Sequence, residues 1–299
     1  MLRIGVDFGG TKIEAAAIDD GGAVLVSRRA ATPPDYESAL GVVRRLVYEV
    51  ESVAGIRFTC VGVGGPGSQS PRRGKLRNAN STQLNGRPFR EDLERTLERP
   101  VRLANDANCL ALSEAIDGAA AGVRVVFAVI IGTGCGGGLV IDRALIEGRN
   151  GIGGEWGHTP LPWPNADELP GPTCWCGRLG CLETWVSGPG FARDHRGGLT
   201  AEALALAAQA GEPTAQAALD RYIDRLARGL AVVCDIVDPD MIVLGGGMSN
   251  VQSIYERAPD AMAAHVFSDA FDTPIRKAMH GDSSGVRGAA RLWPIEGAP

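Results

Sequence analysis

The stretch GVDFGGTKIEAAAIDDGGAVLV, from Gly5 to Val26, decides how the chain is read. An apolar run reaches Asp7, and Gly9, Gly10, Thr11 and Lys12 follow almost at once. Glycines with threonine and lysine after a buried strand suggest a phosphate cradle. The spacing fits neither G-x-x-x-x-G-K-[ST] nor G-x-G-x-x-G, and both of those motifs lead into a helix. Here TKIEAAAID reads as a second strand, Asp19–Gly22 as a turn, and AVLVSRRA as a third strand. Strand, glycine turn, strand, turn, strand predicts an antiparallel meander, so the loop is a hairpin turn.

The same order returns in VRVVFAVIIGTGCGGGLVIDRALIEG, Val123 to Gly148. Gly132, Thr133 and Gly134 stand there where Gly9, Gly10 and Thr11 stand in the first half. Two related halves are therefore expected, each opening with a glycine-turned meander. Backbone N–H groups of the two turns, facing each other, would clamp a polyphosphate from both sides. Asp7, on the strand beside the first turn, suits Mg²⁺ held through water.

Between and after the meanders, helical spacing predicts helices over Ser38–Val53, PFREDLERTL and ANCLALSEAIDGAA. Two more are separated near Gly211–Pro213, and a terminal helix begins near Ser284. FTCVGVGGPG, PVRLANDAN and DMIVLGGGMSN read as strands that run into loops. The expected division is a smaller domain of 1–118 plus 285–299 and a larger one of 119–284, changing over near Asp117–Gly122. The larger carries an irregular insert over 153–190, dense in Gly, Pro, Trp and Cys.

A chain of 299 residues suits two cores better than one. A net charge of −5 argues against a general nucleic-acid binder. The first residues carry Arg3 and Asp7 with no apolar leader, and the run VVFAVII is far too short to span a bilayer. Seven cysteines, an odd number, point to a reducing cytoplasm rather than a disulfide framework. A cytoplasmic protein without nucleic-acid or membrane partners is expected.

Three groups of residues carry chemistry. In LANDAN, Asp106 at a strand end could take a proton from a hydroxyl, as phosphoryl transfer requires. Equally, Asn105 or Asp106 could simply cap the next helix, and the two roles are compatible. In the insert, His158, Cys174, Cys176 and Cys181 form a Cys₃His set with no open ligand position, which predicts a structural zinc. A redox pair would leave Cys181 and His158 unexplained. Glu155 and Glu183 flank this set, and anchored carboxylates suit a ligand made of hydroxyls, a sugar. Asn80 and Asn105 add mixed donor–acceptor groups. Gly245, Gly246 and Gly247 after a buried strand would let a flat adenine lie against backbone.

DFGGTK, GVGGPG, LANDAN, IIGTGCGGG, GEWGH, CWCGRLGCLET and IVLGGGM occur in the order of the ROK family (repressors, open reading frames, sugar kinases), which the whole chain resembles. The C-x-C-G-x-x-G-C-x-E run is the most specific of these. NANSTQLNG, GEWGHTPLPW and HGDSSGVRGAARLW are most similar to the bacterial manno(fructo)kinase (fructokinase) subgroup.

The resemblance implies an α/β, two-domain actin-like ATPase fold, hexokinase-type and ribonuclease H-like, with a zinc-binding loop. It implies ATP, Mg²⁺ and structural Zn²⁺, and phosphorylation of the 6-hydroxyl of fructose and/or mannose. A glucokinase, an N-acetylhexosamine kinase or a non-catalytic sugar sensor are the alternatives. Asp106 becomes the general base. Asn80, Asn105, Glu155, His158 and Glu183 line the sugar, with His158 also a zinc ligand. Asp7, Gly9–Lys12 and Gly132–Gly134 belong to the phosphates, and Gly245–Gly247 to the adenosine. A homodimer is expected. The first strand starts at Leu2, so no helix-turn-helix is expected ahead of it.

Overall fold

The computed structural model describes residues 1–79 and 81–293. Its first sheet opens with β1 (Leu2–Phe8), β2 (Lys12–Asp19) and β3 (Val24–Ala31). β1 and β2 pair antiparallel from Leu2↔Asp19 to Phe8↔Ile13, so Gly9–Thr11 close a hairpin as the sequence predicts. α1 (Tyr36–Ala54) follows, two residues longer at its start than its apolar spacing suggests. The reason is its cap: Asp35 accepts a hydrogen bond from the Ser38 N–H at 2.8 Å and fixes the first turn. β4 (Val61–Gly65) and β7 (Val101–Asn105) complete the sheet in the order β3-β2-β1-β4-β7. Between them lie a small hairpin of β5 (Ser68–Gln69) and β6 (Leu76–Arg77), and α2 (Phe89–Leu97).

After α3 (Asp106–Asp117) the plan repeats. β8 (Val125–Ile131), β9 (Cys135–Ile141) and β10 (Ala144–Leu145) form the second meander. The insert ends in two helices, α4 (Glu183–Val186) and α5 (Gly188–His195), where the sequence suggests irregular chain. α6 (Ala201–Gln209), α7 (Pro213–Val237), β11 (Met241–Gly245), α8 (Gln252–Ala263), β12 (Ile275–Lys277) and α9 (Ser284–Arg291) follow. The second sheet has the order β10-β9-β8-β11-β12, the same plan as the first.

Two helices join the halves crosswise. Leu110, Ala111 and Ala115 of α3 share a core with Val126, Ala128 and Val243 of the second sheet. Val286 and Ala290 of α9 pack on Ala16 and Ile18 of the first sheet. Beside their crossing, the buried Glu114 carboxylate accepts from the N–H groups of Ala119, Met279 and His280 and from the Ser284 hydroxyl, at 2.8 to 3.2 Å. One carboxylate thus ties both strands of chain that pass between the sheets. Sequence reading gave Glu114 no role, because its partners lie far along the chain.

The insert is pinned to α7 by a buried cluster. Glu168 accepts from Arg225 Nε at 2.7 Å, from both Arg228 terminal nitrogens, and from the Asn165 N–H. Arg228 also reaches the carbonyls of Pro162 and Trp163. Burial alone would raise the Glu168 pKa, but the bonds from Arg228 and Arg225 prevail and hold it at about 2. With a folded pKa below the ordinary value, its contribution is complete above about pH 4.5 and fades as pH falls toward 2. Glu168→Ala takes from two buried guanidinium groups the carboxylate they share, leaving Asp194 to Arg225 and Asp224 with two carbonyls to Arg228, and is expected to cost about 3 kcal/mol at neutral pH. Urea unfolding at pH 7 and pH 4 checks both statements: the variant should show the loss, and a flatter acid dependence.

Candidate functional site

The two glycine turns are built alike. In the first, the Gly9 N–H donates to the Lys12 carbonyl at 2.9 Å, and Thr32 braces the loop through the Gly9 and Thr11 carbonyls. In the second, the Gly132 N–H donates to the Gly134 carbonyl at 3.0 Å, and Gly188 braces the Gly132 carbonyl. Each turn leaves two consecutive amides, Gly10 and Thr11, Thr133 and Gly134, with no acceptor among the described residues. Such pairs form anion-binding concavities. Lys12 begins β2, with Nζ 3.8 Å from the exposed Asp282. A cavity of about 1010 Å³ is lined by Gly132, Thr133, Gly188, Gly247, Asn250 and other residues. Gly245 ends β11, and Gly246 and Gly247 lead into the next short helix beside the second turn, where a Cβ on Gly132 would lie 3.9 Å from the Gly247 nitrogen.

Asp7 lies half-buried near the end of β1 and accepts no hydrogen bond from a described residue. A carboxylate so placed fits a cation ligand. α9 presses close to it: a Cβ on Gly285 would lie 2.7 Å from Asp7 Oδ2. Only glycine allows that approach, a requirement the sequence hides behind an ordinary helix start. Loss of solvent, then the charges of Asp106 and Glu14, raise the Asp7 pKa to about 6.

Asn105 and Asp106 divide the two roles open to them. The Asn105 side chain caps α3, accepting from the Asn108 N–H at 2.7 Å. Its amide N–H₂ is left to donate. Asp106 is the first residue of α3, and among the described residues its Oδ1 accepts only from the adjacent Ala107 N–H, at 2.8 Å. The carboxylate opens to the cleft, yet surrounding protein displaces its solvent and raises its pKa. Asn105 also lines a cavity of about 370 Å³. Its neighbours there include Gly65, Gln69, Asn108 and Gly151. Asn80, the other expected amide, lies outside the described residues.

Glu155 and His158 bracket a short helix, with Glu155 half-buried. Loss of solvent raises the Glu155 pKa, and the charges of Asp106 and Glu183 add to it against His158. The charge of Asp106 therefore reaches Asp7 on one side and Glu155 on the other. These carboxylates, distant in sequence, come near enough to feel one another's charge.

His158, Cys174, Cys176 and Cys181 bring their ligand atoms within 4.8 Å of one another. Cys174 Sγ lies 3.6 Å from His158 Nδ1, and Cys176 Sγ 3.6 Å from Cys181 Sγ. A disulfide needs about 2.05 Å. Four ligands on bonds of about 2.0–2.3 Å around a tetrahedral zinc lie about 3.3–3.8 Å apart, so the set fits that metal. Metal on Nδ1 would leave His158 Nε2 for other work. Glu183 is more engaged than the sequence suggests: Oε2 accepts from the Cys135 N–H at 2.9 Å and Oε1 from Trp175 Nε1 at 2.7 Å.

A profile of the ROK family matches residues 3–296. The chain belongs to the ROK family. It is 39% identical to an N-acetyl-D-glucosamine kinase of Yersinia pseudotuberculosis, over 99% of this chain and all of that one. It is 41% identical to that of Shigella flexneri serotype 5b, over 97% and 99%. The ROK hexokinase of Thermus thermophilus superposes with a TM-score of 0.86 at 34% identity, covering 97% of each chain. A ROK family glucokinase from Streptomyces griseus, solved with glucose and AMPPNP, gives 0.79 at 28% identity, over 98% and 99%. The actin-like ROK fold stands on these matches. No helix among the described residues is long and apolar enough to cross a membrane.

Proposed function

We propose that this sugar kinase of the ROK family transfers the γ-phosphoryl group of ATP to the 6-hydroxyl of a hexose, with fructose and mannose the preferred acceptors. One observation carries the reading: Asp106 stands at the start of α3 with its charge felt by Asp7 beside the phosphate turn and by Glu155 beside the metal loop. A carboxylate between a phosphate cradle and a polar pocket is where a hydroxyl must lose its proton.

The free amides of Gly10, Thr11, Thr133 and Gly134 would take the phosphates, and Gly245–Gly247 the adenosine side. Asp7 would hold Mg²⁺ through water, and the cation would offset phosphate charge. Asn80, Asn105, Glu155, His158 and Glu183 would orient the sugar, and Asp106 would accept the proton. His158, Cys174, Cys176 and Cys181 would hold Zn²⁺, whose chemistry is structural. The lobes, 1–118 with 285–299 and 119–284, would close over both substrates and exclude water. A cytoplasmic homodimer without nucleic-acid partners completes the proposal.

The preference for fructose and mannose follows from motifs such as NANSTQLNG and GEWGHTPLPW, whereas the N-acetyl-D-glucosamine kinases named above share 39–41% of their residues with this chain. A coupled ADP-release assay on fructose, mannose, glucose and N-acetylglucosamine decides. Dominant turnover of N-acetylglucosamine would overturn the preference and keep the kinase. Sugar-independent ATP turnover, or sugar binding without turnover, would overturn the kinase.

The acid limb of the rate profile is a further prediction. With its pKa raised to about 6, Asp7 protonates as pH falls through that range, and Asp106 and Glu155, raised in the same direction, protonate before an ordinary carboxylate does. A protonated Asp7 cannot serve Mg²⁺, and a protonated Asp106 cannot take a proton. kcat/KM for MgATP should therefore fall on the acid side with a midpoint near pH 6, and a profile flat to pH 5 would contradict it.

A further inference from the structure

Trp175 has no part in the proposed chemistry, yet its contacts are too specific for a surface residue. It sits between two cysteines of the metal set and is 64% exposed. Its Nε1–H donates to Glu183 Oε1 at 2.7 Å. Its ring meets the His158 imidazole edge-on, with centroids 5.0 Å apart at 83°. The other oxygen of Glu183 accepts from the Cys135 N–H, just after the second phosphate turn. That turn leaves the carboxylate no spare room: a Cβ on Gly134 would lie 2.8 Å from Glu183 Oε2.

From these contacts we infer that Trp175 is a positioning residue, whose indole N–H holds Glu183 in the orientation that serves the sugar and braces the phosphate turn. The cysteines on either side fix the direction of the indole. The indole fixes one carboxylate oxygen, and the Cys135 amide fixes the other. Without the indole N–H, Oε1 keeps only the long contact from Cys174 Sγ at 4.0 Å, and Glu183 can rotate about the Cys135 amide. Trp175 acts through Glu183 and touches no reacting atom.

Trp175→Phe keeps a ring against His158 and removes only the N–H donor. For its kinetic arm the inference rests on the hexose-kinase reading. KM for the hexose should rise about tenfold, the scale of a hydrogen bond to a charged group, with a smaller change in kcat and the bound zinc retained. If Trp175 works through Glu183, its loss adds nothing once Glu183 is changed. Trp175→Phe in a Glu183→Ala background, which removes the acceptor, should leave KM within about twofold of Glu183→Ala alone. Multiplying effects would overturn the inference, as would a Trp175→Phe KM within twofold of the parent.

A second measurement needs no turnover. In a ¹H–¹⁵N spectrum of protein labelled at its five tryptophans, the indole signal missing from Trp175→Phe is that of Trp175. It should move more in Glu183→Ala than the other four indole signals. A signal that stays in place would overturn the link between the two residues. A parent that phosphorylates no hexose, with the indole shift as expected, would instead overturn the kinase reading and leave the link standing.

Discussion

Asp106→Asn is expected to lower kcat by about a thousandfold or more, the upper range of a lost general base, and to leave the fold unchanged. The structure says why the two effects separate. The cap of α3 is Asn105, so the helix keeps its first turn whatever stands at position 106. An asparagine oxygen can still accept from the Ala107 N–H, as Asp106 Oδ1 does. What is lost is the proton acceptor. Partial desolvation raises the basicity of Asp106, while its place at a helix N-terminus still favours the anion. Hexose KM should move little. Steady-state kinetics on the preferred sugar, with a melting curve as control, checks the outcome, and a variant with kcat within tenfold of the parent would remove Asp106 from the role.

Much of this site was legible because its signals are local. A glycine turn after a buried strand ending near an aspartate shows in one short window, and its second copy, Gly132–Gly134, shows the same way. The Cys₃His set needs only residue types within a single insert. The triple glycine after β11 was read from its neighbours alone. Contacts that cross the chain stayed hidden. Glu114 looks like an exposed helical carboxylate until segments 119 and 279–284 arrive beside it. Gly285 reads as an indifferent helix residue until α9 docks against Asp7. Glu168 reads as loop charge, although two arginines of α7 bury it. β12, of three residues, is a strand only because β11 pairs with it. The double use of Glu183 was half visible: its link to the metal loop follows from spacing, and its bond to the Cys135 amide needs the fold.

Removing the proposed metal tests the insert that carries three of the five proposed sugar contacts. Cys181→Ser is expected to abolish stoichiometric zinc and lower stability by on the order of 5 kcal/mol, since metal binding to a site absent from the unfolded chain is folding free energy. The segment from Pro172 to Cys181 has little else to hold it. Trp175, Cys176, Gly177, Arg178 and Leu179 are exposed, and the backbone is held by the short bridges Thr173↔Leu179 and Pro160↔Cys181. Loosening this loop frees His158 and the Trp175–Glu183 contact together, so hexose kcat/KM should fall at least a hundredfold, the upper range for disturbed support around a metal. A disulfide between Cys176 and Cys181 would predict a different pattern, sensitivity to reductant and indifference to chelators. Metal analysis of the parent protein, with melting curves in the presence of phenanthroline or of dithiothreitol, separates the two. One zinc per chain and a lower melting temperature with the chelator alone is the expected result; a zinc-free parent, unmoved by chelation, would take the metal out of the fold.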